Sequence, residues 1–234
     1  MKNLCTICMR GGSKGVPNKN LRKLHNKPLM AYTIEQALES KLFDHVVVST
    51  DSEKIAETAR ESGAEAWFIR PPELAADDVS KLPAIRHAFL ESEDYYGYPF
   101  DVLVDLDATS PLRLVEDISN AYNQFVYQDA DILITASPCR KNPYFNQVEV
   151  INGKITPVKK TNTMIVRRQD APQVYDMNAS IYIWKRKVLL ENDTLFTDRS
   201  SLYIMPEERS VDIDTKLDLE FVEYMIGKSI IIND

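Results

Sequence analysis

The sequence predicts an α/β protein built on a doubly wound, mostly parallel sheet with a small β-rich excursion. Three observations predict it. Short apolar runs that do not alternate with polar residues recur through the first 136 positions, as strands buried on both faces do. Segments with helical spacing stand between them. A glycine-rich loop, Cys8 to Asn20 (CMRGGSKGVPNKN), follows the first apolar run, where a doubly wound sheet binds its ligands.

Leu4 to Met9 is the first predicted strand. Leu29 to Ser40 has helical spacing and follows Pro28, which suits a first turn. His45 to Ser49 (HVVVS) is the second strand, and Thr50-Asp51-Ser52 offers N-cap chemistry to a helix over Ser52 to Ser62 that stops at Gly63. Ala66 to Arg70 (AWFIR) reads as a third strand and Lys81 to Ser92 as a helix. Asp101 to Asp107 is a strand, Val115 to Tyr127 a helix and Asp131 to Ala136 a strand.

The pattern then changes. Asn142 to Val158 reads as a β-hairpin turning at Asn152-Gly153. Residues 137–177 form an excursion from a core made of 1–136 and 178–234. A strand over Ser180 to Trp184, a segment at Leu202 to Met205, the stretch Ser210 to Asp214 (SVDID) and a helix from Lys216 to about Ile226 close the chain.

The 234 residues carry a net charge of −7, which argues against nucleic acid as a partner. Yet residues 1–34 contain seven cations (Lys2, Arg10, Lys14, Lys19, Arg22, Lys23 and Lys27) and no acid. An acidic protein with one wholly basic segment points to a local anion site. No apolar run is long enough to span a bilayer, and the N-terminus lacks a signal-peptide pattern, so a cytoplasmic protein is expected. Three cysteines make no disulfide framework. Cys5 and Cys8, three apart in a strand, face opposite ways, and the expectation is core thiols rather than a metal or redox pair.

Neither G-x-G-x-x-G nor G-x4-G-K-[ST] occurs, which excludes the dinucleotide fingerprint and the P-loop. What remains, Arg10 to Asn20, has Gly11, Gly12 and Gly15 for close backbone approach and amides that could form an anion nest. Ser13, Lys14 and Lys19 suit phosphate. In SVDID, a strand end would turn Asp212 and Asp214 the same way. Two such carboxylates need compensation, and a divalent metal, a solvent-exposed strand end or capping of the following helix accounts for them. Asp105 and Asp107 share a face in DLDATSPLR, where Thr109 and Ser110 could orient a substrate or simply form the turn at Pro111. Arg167 and Arg168 suit a carboxylate or phosphate, or a solvated basic stretch.

Taken in order, RGGSKGVPNKNL, VVVSTDSEKIAE, RPPELAADD, ATSPLR, RRQDAP, NASIYIW and SVDIDTKLDLE resemble the CMP-sialic acid synthetases, cytidylyltransferases that activate nine-carbon α-keto acid sugars. The resemblance runs from the first strand to Asp218. It implies a Rossmann-like nucleotidyltransferase fold, a homodimer joined through the excursion, and transfer of CMP from CTP to the sugar's anomeric hydroxyl with Mg²⁺ (or Mn²⁺). It places CTP against Arg10, Gly11, Ser13, Lys14, Lys19, Asn20, Arg70 and Ser80, with Lys14, Arg10 and Asp212 catalytic. It places metal on Asp212 and Asp214. It places the sugar by Asp107, Thr109, Ser110, Arg168, Tyr182 and Phe196, the last from the same or the partner subunit. Two departures stand out: Asp107-Ala108 stands where the N-acetylneuraminate enzymes carry Gln-Pro, placing there an acid that could bind metal or a different sugar substituent, and Asp176 where they tend to carry arginine. DLDATSPLR and NPYFN resemble the branch acting on N,N'-diacetyllegionaminic acid. The alternatives are a CMP-N-acetylneuraminate synthetase proper, a nucleotidyltransferase for another NTP or acid sugar, and a CTP-binding regulatory module.

Overall fold

A computed structural model describes residues 1–76, 79–161 and 165–233. Asp77 and Asp78 of RPPELAADD, and residues 162–164 of the excursion, lie outside the described residues. The elements, in chain order, are β1 (Asn3–Cys8), β2 (Lys23–Leu24), β3 (Lys27–Pro28), α1 (Leu29–Ser40), β4 (His45–Ser49), α2 (Glu53–Glu61), α3 (Lys81–Tyr96), β5 (Val102–Leu106), α4 (Val115–Tyr127), β6 (Ile132–Pro138), β7 (Val148–Ile151), β8 (Lys154–Pro157), β9 (Tyr175–Lys185), α5 (Arg186–Glu191), β10 (Ser200–Ile204) and α6 (Lys216–Asn233).

Six strands form the central sheet in the order β10-β6-β9-β5-β1-β4. All neighbours are parallel except β9, which runs antiparallel between β5 and β6. Because β1 has β4 on one side and β5 on the other, the chain reverses its direction of winding there. Such a switch point opens a crevice beyond the carboxyl ends of the strands.

The strands are apolar on both faces because helices cover both. Cys5, Ile7, Val104 and Leu106 pack with Ile34, Ile118 and Phe125 of α1 and α4. Leu4, Val47 and Leu103 pack with Ile85 and Phe89 of α3 and with Trp184. Cys5 and Cys8 divide between these faces, as period-two alternation requires. A third cluster joins Val16 and Leu24 of the basic segment to Ile213 and to Leu219, Val222 and Ile226 of α6. It seats the glycine loop against the chain's C-terminal part.

Several boundaries differ from expectation. Residues 66–70 form no strand. Only Glu65 bridges Val47, after which Trp67 stacks on Tyr95 at 4.3 Å: packing against α3 takes the apolar residues that a ladder would have used. Ser210 to Asp214 is irregular rather than a strand end, tied to the sheet region through the Ile213 amide and the Thr109 carbonyl at 3.0 Å. Ser52 makes no side-chain cap for α2. Helix α3 continues to Tyr96 and ends at Gly97, whose φ of +73° favours glycine. Helix α6 continues past Ile226 to Asn233. The excursion leaves the sheet at the end of β6 and rejoins it at Tyr175, and its hairpin is the β7–β8 pair, turning at Asn152 and Gly153. Among the described residues no helix is long and apolar enough to cross a membrane.

Candidate active site

The glycine loop leaves β1 and the Asp107–Arg113 turn leaves β5, so both stand at the switch point. Between them lies a cleft of about 360 Å³ lined by Arg10, Gly12, Ser13, Lys14, Gly15, Lys19, Asn20, Asp107, Thr109, Asp212 and Asp214. Residues more than 190 positions apart meet there, basic loop on one side and carboxylates on the other.

Two features hold the loop. The Gly11 amide donates to the Asp51 carboxylate at 2.7 Å. Asp51 therefore serves the loop rather than capping α2, and the Gly11 amide is already engaged, which narrows the expected anion nest to the rest of the loop. Gly15 lies against the Asp214 backbone: a Cβ there would meet the Asp214 carbonyl oxygen at 2.0 Å. The Lys19 ammonium donates to the Ile213 carbonyl and stands 3.5 Å from Asp214. Asn20 donates to the Arg10 carbonyl at 3.3 Å. Ile213 is buried in the third cluster, which leaves Asp212 and Asp214 on the cleft although their segment is not a strand.

The electrostatics centre on Asp107. One of its oxygens accepts from the Thr109 amide and hydroxyl at 3.0 and 2.8 Å, and the other from Lys81 at 3.0 Å. Burial works against its charge, but Lys81 and the Thr109 donors outweigh it and lower its pKa to about 2. The fully buried Asp105 lies 2.7 Å from Lys81 and accepts from Thr6 at 2.9 Å; burial raises its pKa against the pull of Lys81. Burial also opposes the charge on Lys81, yet the two carboxylates hold its pKa above the ordinary lysine range. Asp212 is pushed up to about 6, first by burial and then by the negative charge of Asp107. Its Oδ1 is buried and has no hydrogen-bond partner among the described residues.

Arg70 and Ser80 line an adjoining hollow of about 240 Å³ with Arg10, Lys81 and Asp107. Arg70 is 4% exposed and donates to the Met9 carbonyl at 2.7 Å, so it braces the start of the loop from beneath. On the other side, Asp212 also borders a groove of about 770 Å³ with Asp176, Asn178, Glu207 and Phe221. Ser110 is brought near but not into the cleft: it is fully buried, and its hydroxyl makes no hydrogen bond among the described residues. Tyr182 pairs with Asp105 across β5 and β9 and stacks on Trp184 at 5.5 Å. Its phenol pKa rises through burial, with Lys81 opposing.

Arg168 and Phe196 lie further from the cleft of their own chain. Arg168 donates to the Cys139 carbonyl at 3.1 Å and lines a separate hollow at the base of the excursion. Phe196 is exposed ahead of β10, at the end of the sheet opposite the cleft. Lys81 and Asp51 are what sequence reasoning missed. A lysine in the first turn of a helix opposes the helix dipole, and the co-facial Asp105/Asp107 pair lacked a counter-cation. Together those signals could have found Lys81.

For a metal, Asp212 and Asp214 present hard oxygen donors to one cleft, and the unpartnered Oδ1 of Asp212 suits a cation. Among the described residues no group of three or more His, Cys, Asp or Glu is gathered as a cage. Two carboxylates on one cleft match the donor set of Mg²⁺, which takes one or two carboxylates and completes its shell with phosphate oxygens and water.

Comparison with known proteins agrees with this architecture. The chain is 52% identical over 224 residues to a CMP-N,N'-diacetyllegionaminic acid synthase of Campylobacter jejuni, covering 96% of this chain and 94% of that protein. It is 51% identical over 223 residues to a post-translational flagellin modification protein B of Campylobacter coli, covering 95% and 94%. A solved structure of a CMP:2-keto-3-deoxy-manno-octonic acid synthetase complexed with CTP superposes with a TM-score of 0.71 at 16% identity, over 98% of this chain and all of that one, a likeness of fold. The family model described as cytidylyltransferase matches residues 4–228, and the chain belongs to that family.

Proposed function

We propose that the protein transfers CMP from CTP to the anomeric hydroxyl of a nonulosonic acid, N,N'-diacetyllegionaminic acid by preference, and releases pyrophosphate. The observation that carries this reading is the cleft in which the basic glycine loop faces Asp107, Asp212 and Asp214, in a chain 52% identical to a relative named for that product. The new bond joins the sugar oxygen to the α-phosphorus while the bond from that phosphorus to the β-phosphate oxygen breaks. Arg10, Lys14 and Lys19 offset the charge that develops on the phosphates, the electrostatic contribution that dominates such transfers. Asp212 and Asp214 would hold Mg²⁺ or Mn²⁺, and one of the two carboxylates would take the hydroxyl proton. When bound, the metal supplies charge neutralisation at the phosphate oxygens. Arg70 and Ser80 shape the nucleoside side, and Asp107 and Thr109 the wall shared with the sugar. Phe196 completes the partner's groove in a homodimer, and Arg168 pairs with the sugar carboxylate.

The test is pyrophosphate release from CTP with a panel of N,N'-diacetyllegionaminic acid, N-acetylneuraminic acid and the eight-carbon acid sugar, each with Mg²⁺ and with Mn²⁺. Highest kcat/KM with the diacetylated sugar is expected. No turnover with any acid sugar removes the proposal, and CTP binding without turnover favours a regulatory module. Preference for UTP or GTP removes the cytidine assignment.

A further inference from the structure

Lys81 is the first residue of α3, where a cation runs against the positive end of the helix dipole. Its stem crosses to the end of β5, and its ammonium reaches Asp105 at 2.7 Å and Asp107 at 3.0 Å. The two contacts do different things. Asp105 is fully buried and needs a counter-charge to stay ionised. Asp107 borders the cleft, and its other oxygen takes the Thr109 amide and hydroxyl at 3.0 and 2.8 Å. The Thr109 carbonyl then accepts the amide of Ile213 at 3.0 Å, the residue between Asp212 and Asp214. A continuous line of polar contacts thus runs from the start of α3 to the carboxylate segment.

We infer that Lys81 is a positioning residue for the transfer: it holds Asp107 and, through Thr109, keeps the 212–214 segment in place opposite the glycine loop. This rests on the proposed reaction. The alternative is that Lys81 only neutralises Asp105. The two ideas part in the double variant K81M/D105N, which removes the buried carboxylate and its counter-ion together.

Steady-state pyrophosphate release and thermal unfolding are measured for K81M, K81R and K81M/D105N. K81M is expected to lower kcat by more than about tenfold, short of the roughly 100-fold of a misplacement by about 1 Å, with the KM for CTP little changed, and to lower Tm. K81M/D105N regains Tm and keeps the low kcat, and it keeps the test decisive if K81M does not fold. K81R recovers part of kcat. Wild-type kcat in K81M, or recovery of kcat along with Tm in the double variant, overturns the inference. Hydrogen exchange reads the same coupling without turnover. The Ile213 amide exchanges faster in K81M/D105N than in D105N if Lys81 acts through Thr109. Unchanged exchange overturns the inference even where the wild-type protein turns over no sugar, the result that would instead sink the proposed reaction.

Discussion

Gly15 is where the two halves of the cleft touch, and Gly15→Ala is the sharpest perturbation of that contact. The added Cβ would lie 2.0 Å from the Asp214 carbonyl oxygen and 3.2 Å from its carbon. Real Cβ contacts begin near 3.0 Å, so a gap of about 1 Å must open. Neither side yields cheaply. Asp214 contributes backbone, not a rotatable side chain, and the neighbouring Ile213 is fully buried against the cluster that also holds Val16. The shift therefore separates the glycine loop from the Asp212/Asp214 segment. Misplacement of reacting groups by about 1 Å costs on the order of 100-fold in rate, or roughly 2.7 kcal/mol of barrier. Pyrophosphate release should show kcat/KM down by that order in G15A, with a lowered Tm. Gly12→Ala provides the comparison for stability, because a Cβ there meets nothing within 4 Å, and its Tm should stay at the wild-type value. A G15A protein with wild-type kcat/KM would refute the claim that this contact sets the distance between loop and carboxylates.

Lys14→Ala should lower kcat by more than tenfold, the scale for losing one electrostatic contact to the transition state; wild-type turnover would remove Lys14 from that role. Asp212 has a folded pKa of about 6, above the ordinary 3.8. Its ionisation therefore opposes folding, with no penalty below about pH 4 and the full penalty of about 2–3 kcal/mol above about pH 6. Asp212→Asn should be more stable than wild type to urea at pH 8 and equal to it at pH 3.5, while losing activity; equal stability at both pH values contradicts the burial argument. Arg113 is 1% exposed and donates to the Ser180 carbonyl at 2.7 Å and to the Thr33 hydroxyl at 3.0 Å, so Arg113→Met should cost roughly 3 kcal/mol in urea denaturation. A loss below about 1 kcal/mol would mean that these bonds are replaced.

Much of the cleft was legible in the chain. The glycine loop, its cations and Asp212/Asp214 could be picked out because composition and spacing are local properties, and the fold brings Ser13, Lys14, Lys19, Asp212 and Asp214 to one cleft. Reading Ser210 to Asp214 as a strand end was incorrect, yet the placement of its carboxylates survived. Ile213 is the apolar residue between them, and burying it turns both neighbours outward whatever the backbone is called. AWFIR went the other way. Its β-propensity is real, but Trp67 found Tyr95, and aromatic packing won over an edge ladder.

By itself the sequence determined the layered α/β plan, the glycine loop after β1 and the basic charge of that loop. These follow from periodicity, glycine content and charge, which need no partner elsewhere in the chain. Only the tertiary structure decided which distant groups compensate one another. Asp51 holds the Gly11 amide 40 positions away, Lys81 pairs with both Asp105 and Asp107, and Arg70 is spent on the Met9 carbonyl. A charge's role depends on its burial and on what stands within about 4 Å of it, and both are products of the fold.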